Sequence, residues 1–148
     1  MKTPRRATAV SCGSTLLIAV ILLSGCAGGV PAAIKDSPVS SASVSEAQQS
    51  ERRFVGAQVR WGGTILSVRN REATTEIEIL SRPTDTSGEP DAEGDGQGRF
   101  IAEVRGFLDP AEFPKDRLLT VVGTLDRVET RPVGDYPYRF PIVDAKQR

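Results

Sequence analysis

The chain has 148 residues, with 19 basic and 19 acidic side chains, two Cys and no His. This length allows about one ordinary domain. The lack of His excludes a Ser-His-Asp or Cys-His catalytic set and a His-ligated metal centre, and two Cys are too few for a thiolate zinc site, so we expect no catalytic residues, no metal and no cofactor.

An export signal is predicted over residues 1–25. Lys2, Arg5 and Arg6 precede a mostly apolar stretch that ends in an unbroken run over residues 16–23. A basic region followed by a short apolar core is a processed signal peptide and not a fold element. The unbroken run is about half of the ~20 residues that a membrane-spanning helix needs, so a permanent span is not favoured.

A lipidation site follows the apolar run. Leu23, Ser24 and Gly25 precede Cys26 and match the lipobox of bacterial lipoproteins, in which small residues before the Cys fit the signal peptidase pocket. The Cys of a lipobox is diacylated and becomes the mature N-terminus. Two or three acyl chains on one Cys give stable anchoring, so we expect the acylated Cys26 to bind membrane lipid. Ala27 stands where Asp would favour retention in the inner membrane, which points to the outer membrane of a Gram-negative bacterium.

The charge of the mature chain argues against nucleic acid as a partner. Cleavage before Cys26 would leave 123 residues with 16 basic and 19 acidic side chains, a net charge of −3. A nucleic-acid-binding domain needs clustered Lys and Arg on a basic surface. Cys12 leaves with the signal and Cys26 would carry a thioether, so no intramolecular disulfide is expected.

The lipidated N-terminus and a flexible linker are predicted over residues 26–53. Gly, Ala, Ser, Pro and Gln dominate there, and no apolar period is sustained. Residues 43–53 include good helix formers, but they lack an apolar stripe. The expected role of this segment is to hold a folded domain, residues 54–148, away from the lipid surface.

The folded domain is predicted to be all-β. Residues 54–148 contain short β-rich runs separated by turn residues, the pattern of a small sandwich or barrel. Five strands are expected, over residues 58–69, 74–80, 99–105, 118–127 and 138–145. A change of side-chain parity beside Gly62 and Gly63 predicts a bulge or a sharp bend in the first strand.

The connections favour a five-stranded OB-like barrel with one short helix. Asp109, Pro110 and Glu112 suit the N-cap, first and third positions of a helical turn between the third and fourth strands. Pro141 cannot donate to a β-ladder, so the fifth strand should lie at an edge or contain a bulge. This order of elements, with a bent first strand, is that of an OB-type barrel, although a generic antiparallel sandwich stays open.

Several motifs resemble the Slp family of outer-membrane lipoproteins, over about residues 55–144. The most specific are Gly106-Phe107-Leu108-Asp109-Pro110 and Tyr136-Pro137-Tyr138. The others are Val55-Gly56 with Val59, Trp61-Gly62-Gly63 with Ile65, Pro90-Asp91-x-Glu93 and Gln97-Gly98-Arg99. The resemblance implies an outer-membrane lipoprotein without established catalytic activity, linked in some members to starvation, stationary phase or acid stress.

Two acidic groups are candidate sites. Residues 91–96 echo the start of a calcium loop, but Ala102 occupies the twelfth position, where a bidentate Glu is required. A solvated acidic loop is therefore favoured. Glu76 and Glu78 could serve as a paired acid and base, but two carboxylates on one strand face are better explained as a wet, charged outer surface.

Trp61, Tyr136 and Tyr138 form the candidate contact surface. Tyr136 and Tyr138 lie among prolines, which suits an exposed patch, whereas Trp61 lies on the apolar parity of the first strand and is better explained by a core role. Core packing and strand capping would explain the tyrosines equally well.

Two functions remain open. The first is a non-enzymatic outer-membrane lipoprotein with a structural or stress-response role, which binds an envelope protein or polymer and faces the periplasm rather than the cell exterior. The alternative is a periplasmic module that binds a small anion, oligosaccharide or metal in the barrel mouth. Arg99, Arg105 and Arg127 would then contact an anion, because guanidinium groups pair well with carboxylate or phosphate.

Overall fold

The domain is a closed five-stranded barrel. A computed structural model describes residues 31–35 and 39–148, except for the side chain of Gln147, so the predicted signal peptide and its lipobox, Leu23 to Cys26, lie outside the described residues. The strands are β1 (Gln58–Asn70), β2 (Thr74–Arg82), β3 (Arg99–Arg105), β4 (Leu118–Val133) and β5 (Tyr136–Gln147), in the spatial order β1-β2-β3-β5-β4. Neighbouring strands are antiparallel except β3 and β5, which are parallel. The predicted OB-like barrel is confirmed.

The first strand serves both halves of the barrel. Its residues 58–64 pair with β4 and its residues 62–70 pair with β2, with a register shift between Ile65 and Ser67. The predicted irregularity therefore lies just beyond the two glycines. At Gly63 a Cβ atom would lie 2.0 Å from the carbonyl oxygen of Leu80, so only glycine lets the two backbones approach this closely.

Side chains fill the barrel interior. Trp61 packs edge-on against Phe100, with ring centroids 5.3 Å apart. The other inward residues alternate along each strand, as the period of two requires. They include Val59, Ile65, Ile77, Ile79, Ala102, Val104, Val121, Leu125 and Val143, all buried in one hydrophobic core.

A short helical segment closes the entry end of the barrel, which we define as the end where β1 and β3 begin. The helices are α1 (Ala32–Lys35), α2 (Val44–Gln49) and α3 (Glu51–Phe54). Val44 and Ala47 of α2 are fully buried in the barrel core. Ser43 caps α2: its Oγ accepts a hydrogen bond from the N–H of Glu46 at 3.2 Å, and its own N–H donates to the Glu46 carboxylate at 2.8 Å.

This packing corrects the flexible linker predicted up to residue 53. Residues 39–53 belong to the folded body, since the N–H of Ser40 also donates to the carbonyl of Gln58 at 2.7 Å. The sequence shows no long apolar stripe because two small apolar residues, one turn apart, are enough to cover a barrel end. In the part of the chain that the structure describes, no helix is long and apolar enough to cross a membrane.

The connection from β3 to β4 closes the far end of the barrel, where β1 and β3 end and β2 begins. Leu108 is buried in the core and Phe113 packs against it. The helical turn predicted at Asp109 takes the form of two successive tight turns: the N–H groups of Glu112 and Phe113 donate to carbonyls three residues back, at 3.0 and 3.2 Å, and no α-helix forms there. Pro114 prevents these turns from continuing. Asp109 does cap them, because its carboxylate accepts from the N–H of Ala111 at 2.9 Å.

The β4–β5 hairpin folds over the outer face of the sheet. Phe140 and Ile142 form a second buried cluster there with Ile101 of β3. β5 lies between β3 and β4, so the edge position predicted from Pro141 is wrong. The predicted alternative, a bulge in β5, is confirmed: the β4–β5 register shifts between Ala145 and Gln147, opposite Val122 and Gly123, and a second shift lies in β4 between Leu125 and Arg127. The parallel pairing with β3 begins only at Ile142, one residue beyond the proline.

Candidate contact surface

The structure separates the three predicted contact aromatics. Trp61 is only 6% exposed, and its Nε1–H donates to the carbonyl of Ala42 at 2.7 Å, so it is a core residue that holds the N-terminal segment. Tyr138 is half-buried: its hydroxyl accepts from the Nε2–H of Gln48 and the backbone N–H of Arg99, both at 2.8 Å. Tyr136 alone remains open, at 68% exposed. The predicted surface is therefore reduced to one tyrosine next to the hairpin turn.

Phe107 is a more exposed aromatic that the sequence analysis did not select. Its exposed fraction is 72%, the highest of the three large exposed hydrophobic residues in the described chain; the other two are Tyr136 and Val55. It lies in the loop that closes the far end of the barrel. The signal was present in the motif Gly106-Phe107-Leu108-Asp109-Pro110, but a sequence does not show which of its two apolar residues points inward.

Hydrogen bonds fix the backbone on both sides of Phe107. Thr75 Oγ1–H donates to the Gly106 carbonyl at 2.8 Å and accepts from the N–H of Leu108 at 3.1 Å. The amide of Asn70 donates to the Leu108 carbonyl at 3.1 Å. Gly106 has φ +81°, a left-handed conformation that favours glycine and turns the chain here. Leu108 is thereby held in the core and Phe107 in solvent.

The three arginines predicted as anion contacts do not surround an open barrel mouth. Arg99 and Arg105 are the first and last residues of β3, about 20 Å apart at ~3.3 Å per residue. Arg99 pairs with Glu78 at 2.9 Å. Arg127 pairs with Asp126 at 2.6 Å and with Glu103 at 3.4 Å. The chain's own carboxylates neutralise two of the three, and α2 fills the entry end.

Of the two carboxylates predicted to lie on a wet outer face, Glu78 forms a partly exposed pair with Arg99, whereas Glu76 belongs to a buried ion network. Glu76 is 8% exposed and receives two hydrogen bonds from Arg131, each 3.0 Å, and one from Arg71 at 3.1 Å. Arg131 also binds Glu129 through two hydrogen bonds of 3.0 Å. Glu76 is buried because the β4–β5 hairpin covers it, and sequence periodicity cannot reveal such coverage.

The network changes the acidity of its members. Burial raises the pKa of Glu76, but the hydrogen bonds from Arg131 and Arg71 outweigh burial and hold this pKa below its ordinary value. Hydrogen bonds from Arg131 likewise lower the pKa of Glu129. The pKa of Arg131 is raised by hydrogen bonds to Glu129 and Glu76. These groups are fixed in their charged states, which suits a structural tie between β2 and the hairpin.

The acidic loop over residues 83–98 is ordered by its own polar groups. Asp85 accepts from the N–H of Ser87 at 2.8 Å, from the hydroxyl of Ser87 at 2.6 Å and from the N–H of Glu89 at 3.0 Å. Thr120 Oγ1–H reaches in from β4 and donates to the Gly88 carbonyl at 2.6 Å. Within the described residues, no group of three or more Asp, Glu, Cys or His is arranged to hold a metal ion.

Comparison with known proteins settles the family. The family model described as "Outer membrane lipoprotein Slp family" matches residues 23–148, which begin at the predicted lipobox. The chain belongs to the Slp family. The resemblance inferred from its motifs is confirmed, and this Slp-family chain is an outer-membrane lipoprotein of Gram-negative type.

The chain is similar to proteins of Escherichia coli and Haemophilus influenzae. The chain is 35% identical over 126 residues to "Uncharacterized lipoprotein YeaY" and 32% identical over 130 residues to "Outer membrane protein Slp", both of Escherichia coli. It is 36% identical over 88 residues to an uncharacterized protein of Haemophilus influenzae. These alignments cover 84%, 86% and 59% of this chain, but 64%, 68% and 48% of the relatives, so the chain spans about two thirds of the first two. No solved structure matches it.

Proposed function

We propose that this Slp-family chain is a non-enzymatic module, anchored to the outer membrane through acylated Cys26 and facing the periplasm, that binds an envelope protein or polymer during starvation, stationary phase or acid stress. The lipobox at the start of the family match supports the anchor. The observation that carries the binding role is Phe107, because a large aromatic side chain is held in solvent by a hydrogen-bonded backbone.

Phe107 has the properties of an interface anchor. Aromatic residues supply most of the binding free energy at many protein interfaces. A side chain whose backbone is already fixed loses less conformational entropy when it binds, so the affinity gained per contact is larger. Leaving such a residue exposed has no evident benefit for stability, since burying a Phe normally stabilises a fold by about 1.5–3 kcal/mol.

The position of Phe107 suits a partner that lies away from the lipid. The N-terminal segment, which leads from the anchor, joins the barrel at Gln58, the first residue of β1. Phe107 lies beside Asn70, the last residue of β1. The 13 residues of β1 separate the two by up to about 40 Å along the strand. An anchored domain can therefore present Phe107 towards the periplasmic space.

The anchor is tested by replacing Cys26 with Ala. We expect the wild-type protein in outer-membrane fractions, with a diacylated N-terminus at Cys26 in the mass spectrum of the intact chain. The Cys26→Ala protein should remain unprocessed or no longer fractionate with the outer membrane, because no thiol is left for acylation. Cys12→Ala is the matched control and should behave as the wild type. An acylated, outer-membrane Cys26→Ala protein would refute the anchor.

The contact role is tested by a photo-crosslinking residue placed at position 107 in cells. We expect one discrete crosslinked species at position 107 and none at position 130, an exposed threonine of the β4–β5 hairpin that serves as the control. Digestion with a muramidase then distinguishes a peptidoglycan adduct from a protein adduct. Phe107→Ser should change the free energy of unfolding by no more than about 0.5 kcal/mol, because the side chain makes few contacts in the fold.

The same variants test whether anchoring and binding contribute to survival under stress. Cells that carry only Phe107→Ser or only Cys26→Ala should survive starvation or acid treatment less well than cells with the wild-type chain. Equal crosslinking at positions 107 and 130, together with wild-type survival of Phe107→Ser cells, would contradict the proposed contact.

A further inference from the structure

A polar groove lies beside the entry end, far from Phe107. It has a volume of about 530 Å³ and runs between residues 39–44 on one side and β1, β2 and the start of the acidic loop on the other. Arg60, Arg82 and Gln97 line it together with the serines at positions 40, 41, 43 and 81. This combination of guanidinium, amide and hydroxyl donors can hydrogen-bond to a phosphate or carboxylate.

The two arginines of the groove are neighbours on the same face of the sheet. Arg82 is the cross-strand partner of Gly62, and Arg60 stands two residues before Gly62 on β1. Diagonal residues of this kind lie about 7–8 Å apart on one face of a sheet. The side chains of Thr84 and Pro90 pack over Gly62 between them, less than 3 Å from where a Cβ would lie. Both arginines nevertheless line the same groove.

Each arginine is positioned by neutral backbone or hydroxyl oxygens. Arg60 Nη1 donates to the carbonyls of Ile34, at 3.3 Å, and Lys35, and its Nη2 donates to the carbonyl of Thr86 at 3.3 Å. Arg82 Nη1 donates to a carbonyl of the acidic loop, and its Nε donates to a β1 hydroxyl at 3.4 Å. A guanidinium has five N–H donors. At least two N–H donors of each arginine therefore remain for a ligand when only contacts with the described residues are counted.

The charge of these two arginines is not neutralised by any carboxylate among the described residues. No Asp or Glu of the described chain lines the groove, and neither Arg60 nor Arg82 is in an ion pair there. Five other arginines do have a carboxylate partner within 4 Å: Arg71, Arg99, Arg127, Arg131 and Arg139. In a mature chain of net charge −3, two guanidinium groups that line one groove and have no carboxylate partner among the described residues form a local positive site that favours an anion.

The groove is separated from the predicted lipid anchor by only a short length of chain. Arg60 binds the carbonyls of α1, and Pro31, next to α1, is only five residues beyond Cys26. Five residues span at most about 18 Å when fully extended. Attachment of Cys26 to the membrane would therefore keep this side of the barrel near the lipid headgroups. Two arginines at this distance lie where anionic lipids attract basic side chains.

We propose that the Arg60–Arg82 groove binds the phosphate of an anionic phospholipid headgroup in the leaflet that holds the anchor. This inference rests on the anchor of the proposed function. Binding fixes how the barrel stands on the membrane: the entry end is held against the lipid and the far end, with Phe107, points away from it. The acyl chains supply attachment, and the groove supplies orientation.

The test uses the full-length lipoprotein purified from membranes in a non-ionic detergent. Binding is measured by calorimetry with short-chain phosphatidylglycerol, short-chain phosphatidylcholine and inorganic phosphate as separate probes. We expect saturable binding of phosphatidylglycerol that weakens at high salt, and at least about tenfold weaker binding of the other two. Arg82→Gln and Arg60→Gln should each weaken phosphatidylglycerol binding by at least about fivefold.

Controls separate a site from a general charge effect. Arg117→Gln is matched, because Arg117 is an exposed arginine that also binds a backbone carbonyl, that of Glu112. It should bind as the wild type. Arg60→Lys keeps the charge and replaces Arg60→Gln in the test if that variant fails to fold. Arg60→Lys should retain at least half of the affinity for phosphatidylglycerol. Equal loss in Arg117→Gln, no saturable binding, or equal binding of phosphatidylcholine or free phosphate would overturn the proposal. If Cys26 carries no lipid but phosphatidylglycerol still binds in the groove, the anchor fails and the site itself stands.

Discussion

Replacing Gly63 with Ala should destabilise the barrel by at least about 3 kcal/mol or prevent folding, because the added methyl group has no space. Its Cβ would lie 2.0 Å from the carbonyl oxygen of Leu80, 2.8 Å from the carbonyl carbon and 2.9 Å from the Cα of Ser81. All three atoms belong to the β2 backbone, so no side-chain rotation can relieve the overlap. Gly63 also pairs with Leu119 of β4, and a shift away from β2 would therefore disturb the other half of the barrel.

Urea unfolding of the purified protein, followed by circular dichroism, measures this effect. Gly96→Ala is the matched control, because its new methyl group would meet only the flexible end of the Leu80 side chain, at 3.0 Å. We expect that control to change the free energy of unfolding by less than about 1 kcal/mol. If Gly63→Ala is as stable as Gly96→Ala, the close approach of β1 and β2 is not a requirement of the fold.

The strands of this domain could be predicted because each one follows a period of two. β2 and β3 show the relation clearly: Ile77, Ile79, Phe100, Ala102 and Val104 recur at every second position and all point into the barrel. The bend in β1 was visible because glycine and a parity change coincide. Local patterns of this kind depend on neighbouring residues alone, and a single sequence contains them.

Features that depend on distant contacts could not be predicted in this way. The packing of α2 rests on Val44 and Ala47, which carry too little apolar surface to mark a segment as part of a core. The sequence pattern predicts that Glu76 is an exposed charge. It is buried because the β4–β5 hairpin, more than 50 residues further along the chain, places Arg131 against it. Phe107 and Leu108 are equally apolar, and only Asn70 and Thr75 on other strands decide which of them is buried.

Replacing Arg131 with Met should lower the free energy of unfolding by about 3 kcal/mol at pH 7. Glu76 is buried beneath the hairpin, and removal of one partner leaves a carboxylate whose desolvation is no longer offset. Arg71 remains as a second partner, but its side chain is 47% exposed and contributes less. Arg139→Met is the control, since its pair with Glu51 is exposed, and it should lose no more than about 1 kcal/mol.

The stability lost in Arg131→Met should depend on pH, and the ionised carboxylates decide whether the loss grows or shrinks as the pH falls. Glu76 and Glu129 have pKa values below the ordinary value of about 4.3, so their contribution to stability is complete above that pH and is lost as pH falls through their folded pKa values. Without Arg131, burial dominates and the pKa of Glu76 should rise. The difference between wild type and Arg131→Met should therefore shrink as the pH is lowered from 7 to 3.

Urea unfolding at pH 7, 5, 4 and 3 measures this dependence. The double variant Glu76→Gln with Arg131→Met separates the effect of losing the arginine from the effect of leaving the Glu76 carboxylate unpaired. The double variant should be more stable at pH 7 than Arg131→Met alone, because a neutral amide removes the unpaired buried charge. A constant difference at every pH would show that Arg131 stabilises the hairpin through its packing on the outer face and not through its charge. For a protein proposed to act in acid stress, this measurement also shows at which pH the tie between β2 and the β4–β5 hairpin weakens.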